Sequence, residues 1–303
     1  MSGSGPLRLI LLGTLCVGCL AGIGVVIAGC SQGWLGSAAI DGANGDGANA
    51  GGETATNGDH ASPGDSALPL FSFFVTSLAA LQDLSASQDG FGGDLTFSET
   101  GPGAGLRGAD QICAAIAERS MPGSSAKQWR AFLGVTDDGS GNPVNAIDRI
   151  GDGPWHDRVG RMLAPTRADL LFERPQNGDP TIRDDLPNED GIPNHRPDPT
   201  QPEVDNHHML TGSDENGELE SSSATCQDWT TADGSSANGR PSCGFAWPRG
   251  GGGGGGGHWM TSYAAPGCAP GVDIGGGGGP PPGDDTVGGG GGYGGFYCFA
   301  LVP

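Results

Sequence analysis

The chain has 303 residues and carries 14 Lys and Arg against 35 Asp and Glu, a formal charge of −21. Such a surface repels polyanions, so neither nucleic acid nor heparin is an expected partner. Glycine contributes 60 residues, much of it in unbroken tracts that bury nothing, which leaves one domain's worth of packable sequence from Leu68 onward.

Before Asp41 the only charged side chain is Arg8, which precedes an uncharged apolar run over 9–28. Its length suits a long signal-peptide core or a membrane-spanning helix. Val26, Ile27, Ala28, Gly29 and Cys30 close the run and resemble a bacterial lipobox: an aliphatic residue, two small residues, then cysteine. The expectation is that 1–29 is a lipoprotein signal peptide and that Cys30 carries the lipid. An uncleaved anchor helix with a buried Cys30 is the alternative. Ser31, in place of Asp, resembles the pattern of lipoproteins sorted to the outer membrane. The expected location is therefore the bacterial cell envelope, at the outer membrane, and several acyl chains on one residue give stable anchoring. Residues 30–67 are mostly Gly, Ala, Asn, Asp and Ser and read as a flexible tether. The domain itself is expected over 68–303.

Leu68–Leu78 is rich in aromatic and β-branched residues and suits a first strand. A glycine-rich loop to Gly105 follows. Ala109–Arg119 then reads as a helix, with Ile112, Ala115, Ile116 and Arg119 on one face and Cys113 beside it. Met121, Pro122 and Gly123 stop it. Gln128–Val135 reads as a strand in which Trp129, Ala131 and Leu133 alternate with Arg130 and Phe132. Short strands and turns are expected around Trp155 over 146–164, and a short helix over Thr166–Phe172. Pro175–Asn206 is polar, acidic and proline-rich, and reads as a long surface loop. Gly250–Gly257, Gly275–Gly279 and Gly288–Gly292 read as disordered insertions. The last strand is expected over Gly295–Val302. Trp129, Trp155 and Trp229 have apolar neighbours and are expected in the core; exposure for binding is the alternative. Five cysteines fall in the domain, at 113, 226, 243, 268 and 298. Without CxxC spacing they suggest disulfides with one left over, and spacing does not rank the pairings.

GLRGADQICAAIAERS followed by QWRAFLG resembles the opening of the endostatin domain found at the end of certain collagens. TGSDENGEL and ATCQDWTT resemble its middle, and SYAAPGC and GFYCFALV its final cysteine-bearing strands. The chain is also similar to uncharacterised bacterial lipoprotein domains with GAD-x-x-C and C-x-x-W-T signatures. The resemblance implies an α+β, C-type lectin-like (endostatin-like) domain with nested disulfides, Cys113 to Cys298 and Cys226 to Cys268, and Cys243 without a counterpart. Departures matter. Endostatin is basic and binds heparin, whereas this chain is acidic. The region matching endostatin's zinc histidines, 68–105, contains no histidine. The EPN, QPD and WND triplets of calcium-dependent lectins are missing from the expected place.

Three constellations carry metal or catalytic chemistry. His195, Asp205, His207 and His208 are metal-ligand types, although adjacent histidines in a strand face opposite ways. Asp184, Asp185, Asn188, Glu189 and Asp190, or Asp214, Glu215, Asn216 and Glu218, could offer oxygens to calcium, without the spacing of an EF-hand. Asp214–Gly217 also makes a good turn without metal. Cys243 with a histidine could act as a nucleophile, but no catalytic signature surrounds it. The expectation is a non-enzymatic surface lipoprotein without metal or cofactor. Its domain would bind a protein or glycan of the envelope or surroundings. A hydrolase acting on such polymers and a structural spacer are the alternatives.

Overall fold

Phe73–Val75 form β1, the first of the strands set on the molecule's longest one. In a computed structural model the described residues are 68–195, 206–248, 257–274 and 285–302. All lie in one compact unit, Ser62–Pro303. The expected signal peptide, Cys30 and the whole of the expected tether fall outside the described residues. Among those described, no helix is long and apolar enough to cross a membrane.

After β1 come two helices, α1 (Leu78–Ser85) and α2 (Ala104–Ser120). The strands that follow are β2 (Trp129–Ala131), β3 (Trp155–His156), β4 (Met162–Ala164), β5 (His208–Leu210), β6 (Ser242–Phe245), β7 (Tyr263–Ala264) and β8 (Gly292–Ala300). The main sheet runs β1-β8-β5-β6-β7, with β2 also on β8, and β3 and β4 form a separate pair. The architecture is α+β. Every residue of β8 is buried. Its C-terminal half pairs antiparallel with both β1 and β2, and its N-terminal half pairs parallel with β5. One strand thus joins the start of the domain to its end.

Local chemistry explains where the elements differ from expectation. The first strand is only three residues long, because Ser77 caps a helix: its hydroxyl accepts the Ala80 N–H at 3.1 Å. α2 begins at Ala104, five residues before the expected start, and takes in Gly105 and Gly108. β2 ends at Ala131, where the Leu133 N–H turns back to the Ala131 carbonyl at 3.0 Å. That turn breaks the strand's alternation, so Phe132 is fully buried instead of facing out with Arg130. It packs on Trp259 at 5.0 Å and on Phe299 at 5.9 Å between ring centroids. Thr166–Phe172 yields only a 3-10 turn, Arg167–Leu170, which buries Leu170 and leaves Leu171 and Phe172 outside.

The described part of the expected surface loop, 175–195 with Asn206, is packed into the molecule. Ile182, Leu186, Glu189 and His195 are buried. Leu186 donates its N–H to Ala246, and Val75 donates its own to Pro187. Backbone hydrogen bonds here replace the apolar periodicity that would have announced a buried segment. The last glycine tract is also ordered in place: Gly292 opens β8 and the Gly291 carbonyl accepts the His208 N–H at 3.0 Å. Trp129, Trp155 and Trp229 are internal, and Trp259 is a fourth buried tryptophan that the sequence did not single out. Each such side chain contributes on the order of 2–3 kcal/mol by burial.

Candidate functional site

The two recognisable signatures are spent on construction. Gly105 and Gly108 share a face of α2. A Cβ at Gly105 would overlap the carbonyl oxygens of Asp228 and Trp229, and one at Gly108 those of Leu95 and Thr96. Asp110 accepts the Ala131 N–H at 2.9 Å and takes both its oxygens to Arg149 Nη2 at 2.8 Å. It thereby ties α2 to β2 and holds a guanidinium that is 8 % exposed. One turn on, Cys113 is bridged to Cys298 in β8. These are the Gly, Asp and Cys of the first signature.

The second begins at Cys226, bridged to Cys268. Both bridges are the pairs the resemblance implies. From Cys226 to Trp229 four successive residues are left-handed, with φ of 49°, 55°, 55° and 63°. Within that turn the Asp228 carboxylate accepts from the Thr136 N–H at 2.7 Å, the Thr136 hydroxyl at 2.5 Å and the Asp137 N–H at 3.1 Å. Trp229 is buried, and its Nε1 donates to the Gly134 carbonyl at 2.9 Å. Asp110 and Asp228 are therefore fully engaged with the scaffold.

The three chemical constellations resolve differently. His195 donates or accepts at Nδ1 with Asp185 Oδ2, 2.8 Å away, and its ring stacks on Trp247 at 3.7 Å. His207 and His208 lie elsewhere on β5's approach, their centroids 4.3 Å apart, both against Phe245. An irregularity in the β5–β8 register at His208/Met209 accompanies this clustering. Asp205 lies outside the described residues. Among those described, no group of three or more His, Cys, Asp or Glu is placed to hold a metal ion.

The acidic runs are occupied locally. Asp184 pairs with Arg174 at 2.6 Å, and Asn188 Oδ1 accepts the Asp190 and Ile192 N–H groups. Asp214 Oδ1 accepts the N–H groups of Asn216 and Glu218, which closes the expected turn. Glu189 reaches α1: its oxygens accept the Ser77 N–H at 3.0 Å and the Ser77 hydroxyl at 2.5 Å. Burial raises its pKa. Cys243, in β6, is fully buried, and burial pushes its thiol up to about 12. A thiol held there is no nucleophile near neutrality.

Of the surface recesses among the described residues, two bring charged side chains of both signs together. One, of about 310 Å³, lies between α1 and the end of α2 over Glu189, with Asp83, Arg119, Ser120 and Asp190 around it. Its one buried acid is already clamped by Ser77. The other, of about 340 Å³, is lined by Phe172, Glu173, Arg174, Gln176 and Arg183. Phe172 is 52 % exposed. The loop beneath it is fixed: the Leu170 carbonyl accepts Trp259 Nε1 at 2.7 Å, the Glu173 carbonyl accepts the Trp259 N–H at 3.0 Å, and the Gln176 N–H donates to Asp169 at 2.8 Å. Nothing in the sequence marks this recess beyond a Leu-Phe pair at the end of a short helical pattern. It takes the tertiary fold to bring Arg183 to it.

What these features define is an α+β domain, closed by its terminal strand, braced by two disulfides and opening outward through recesses on anchored loops. A scan against protein-family models finds no match, and a search of curated proteins finds none.

Proposed function

We propose that the chain is a surface lipoprotein of the bacterial envelope. Its domain is an endostatin-like member of the C-type lectin-like fold and binds a protein or glycan without catalysis. Lipid on Cys30 anchors it, and 30–67 spaces the domain from the outer membrane. One observation carries the binding reading: the carboxylates within the two signatures, Asp110 and Asp228, are consumed by the scaffold. The chemistry left over stands at the surface, on loops fixed from below. That arrangement suits preorganised recognition.

A hydrolase of this kind needs two carboxyls of contrasting environment in one cleft. Glu189 has that contrast with the exposed Asp83 and Asp190 in its recess, but both of its oxygens already accept from Ser77.

Two measurements test the proposal together. Cys30→Ser should release the full-length protein from membranes or stop its processing; unchanged retention and processing would remove the anchor. The released protein, applied to glycan arrays and to envelope extracts, should retain a defined ligand. A spacer would retain none.

A further inference from the structure

We infer that the Phe172 recess is the ligand site and that its ligand is a carboxylate-bearing pyranose, an acidic sugar at the end of a glycan; this rests on the binding reading above. Phe172 offers an aromatic face to solvent, the surface against which the apolar C–H face of a sugar ring packs. Glu173 and Gln176 stand beside it. Between them they accept from and donate to ring hydroxyls.

The charge comes from Arg183. Asp184 is shared by two guanidiniums, 2.6 Å from Arg174 Nη1 and 3.9 Å from Arg183 Nε. Arg174 takes the hydrogen bond. Arg183 Nε is itself sealed from solvent beside Asp184, but the side chain is 40 % exposed, so the outer edge of its guanidinium is what meets the recess. That edge is suited to a carboxylate, which it grips with two parallel bonds. At about 340 Å³ the recess is at the small end for ligand sites, with room for one sugar residue and not for a chain.

The molecule's net charge of −21 opposes any anion at long range. Attraction is therefore local, while repulsion is spread over the surface, and salt screens the spread component first. Affinity should hold or rise from about 10 to about 150 mM salt, as the Debye length shrinks from about 30 to about 8 Å. A protein that holds polyanions by its field behaves the opposite way.

The test is titration of the full-length protein, followed by NMR or calorimetry. The probes are methyl glucuronide, methyl glucoside and a short peptide with a free C-terminal carboxylate. The glucuronide should bind, and the neutral glucoside should bind about tenfold more weakly or worse. Arg183→Ala and Phe172→Ala should each weaken glucuronide binding by about tenfold, with thermal unfolding unchanged, because both side chains lie at the surface. Arg183→Lys, a point charge in place of a fork, should recover only part of the loss. The inference is overturned by no saturable glucuronide binding, by equal affinity for the glucoside, by tighter binding of the peptide, or by indifference to both substitutions. Retention of some other glycan or envelope protein that Arg183→Ala leaves untouched would also overturn it, while the binding function itself would stand.

Discussion

Glu189 shows how far one residue's role can lie from its sequence context. It sits in an acidic, proline-rich run, yet it is 7 % exposed and holds the N-terminal turn of α1 through both the N–H and the hydroxyl of Ser77. The position is favourable for negative charge, since unpaired N–H groups and the helix dipole meet there. Burial outweighs this and raises the carboxyl pKa above its ordinary value of 4.5. The folded state then holds the proton more tightly than the unfolded chain does. The stability this contributes is full below about pH 4.5 and is lost as pH rises through the elevated folded value. Glu189→Gln keeps an acceptor for Ser77 and removes the charge. Wild type should therefore lose stability relative to the variant as pH is raised from 4.5 toward neutrality. Denaturant melts at several pH values measure this, and a constant difference across the range would contradict it.

At the scale of elements, the left-handed turn Cys226–Trp229 and helix α2 depend on each other. Four successive L-residues in that conformation cost on the order of 1–2 kcal/mol each in a free chain. The turn persists because its surroundings fix it: a disulfide at its first residue, four donors on Asp228, and a buried indole bonded to Gly134 at its last. Its carbonyls then face α2 so closely that only glycine fits at 105. Gly105→Ala should destabilise the domain by about 3 kcal/mol, at the upper end of overpacking effects, because the obstacle is backbone and cannot rotate away. In an exposed helix the same change would stabilise. A thermal midpoint equal to or above wild type would show that the turn yields.

Across the whole molecule, the two bridges restrain different lengths of chain. Cys113–Cys298 spans 185 residues and Cys226–Cys268 spans 42. On the chain-entropy model these are worth about 5 and about 4 kcal/mol. Removing the first pair with Cys113→Ser and Cys298→Ser should therefore lower stability somewhat more than Cys226→Ser with Cys268→Ser. Non-reducing peptide mapping should recover 113–298 and 226–268, with Cys243 alkylated only after unfolding. A main species linking Cys243 to Cys226 or Cys268 would overturn the connectivity. The fully buried β8 explains the leverage of the longer bridge, since it locks the strand shared by β1, β2 and β5.

The helix around Cys113, the three tryptophans and the strand nature of the C-terminus were all legible in the sequence. Each depends on periodicity or on bulk that has nowhere to go but the core. The net negative charge was legible too, since it is a sum over residues. Other features needed the fold. Phe132 turns inward because one backbone bond ends β2 early, and nothing in QWRAFLG marks that bond. The acidic segment is interior because its backbone pairs with β1 and with the residue following β6, and backbone groups are alike in every sequence. The Phe172 recess joins 172–176 to Arg183 across a loop. Its geometry rests on Trp259, far along the chain, so only the tertiary structure could place an exposed aromatic ring and an exposed guanidinium edge together.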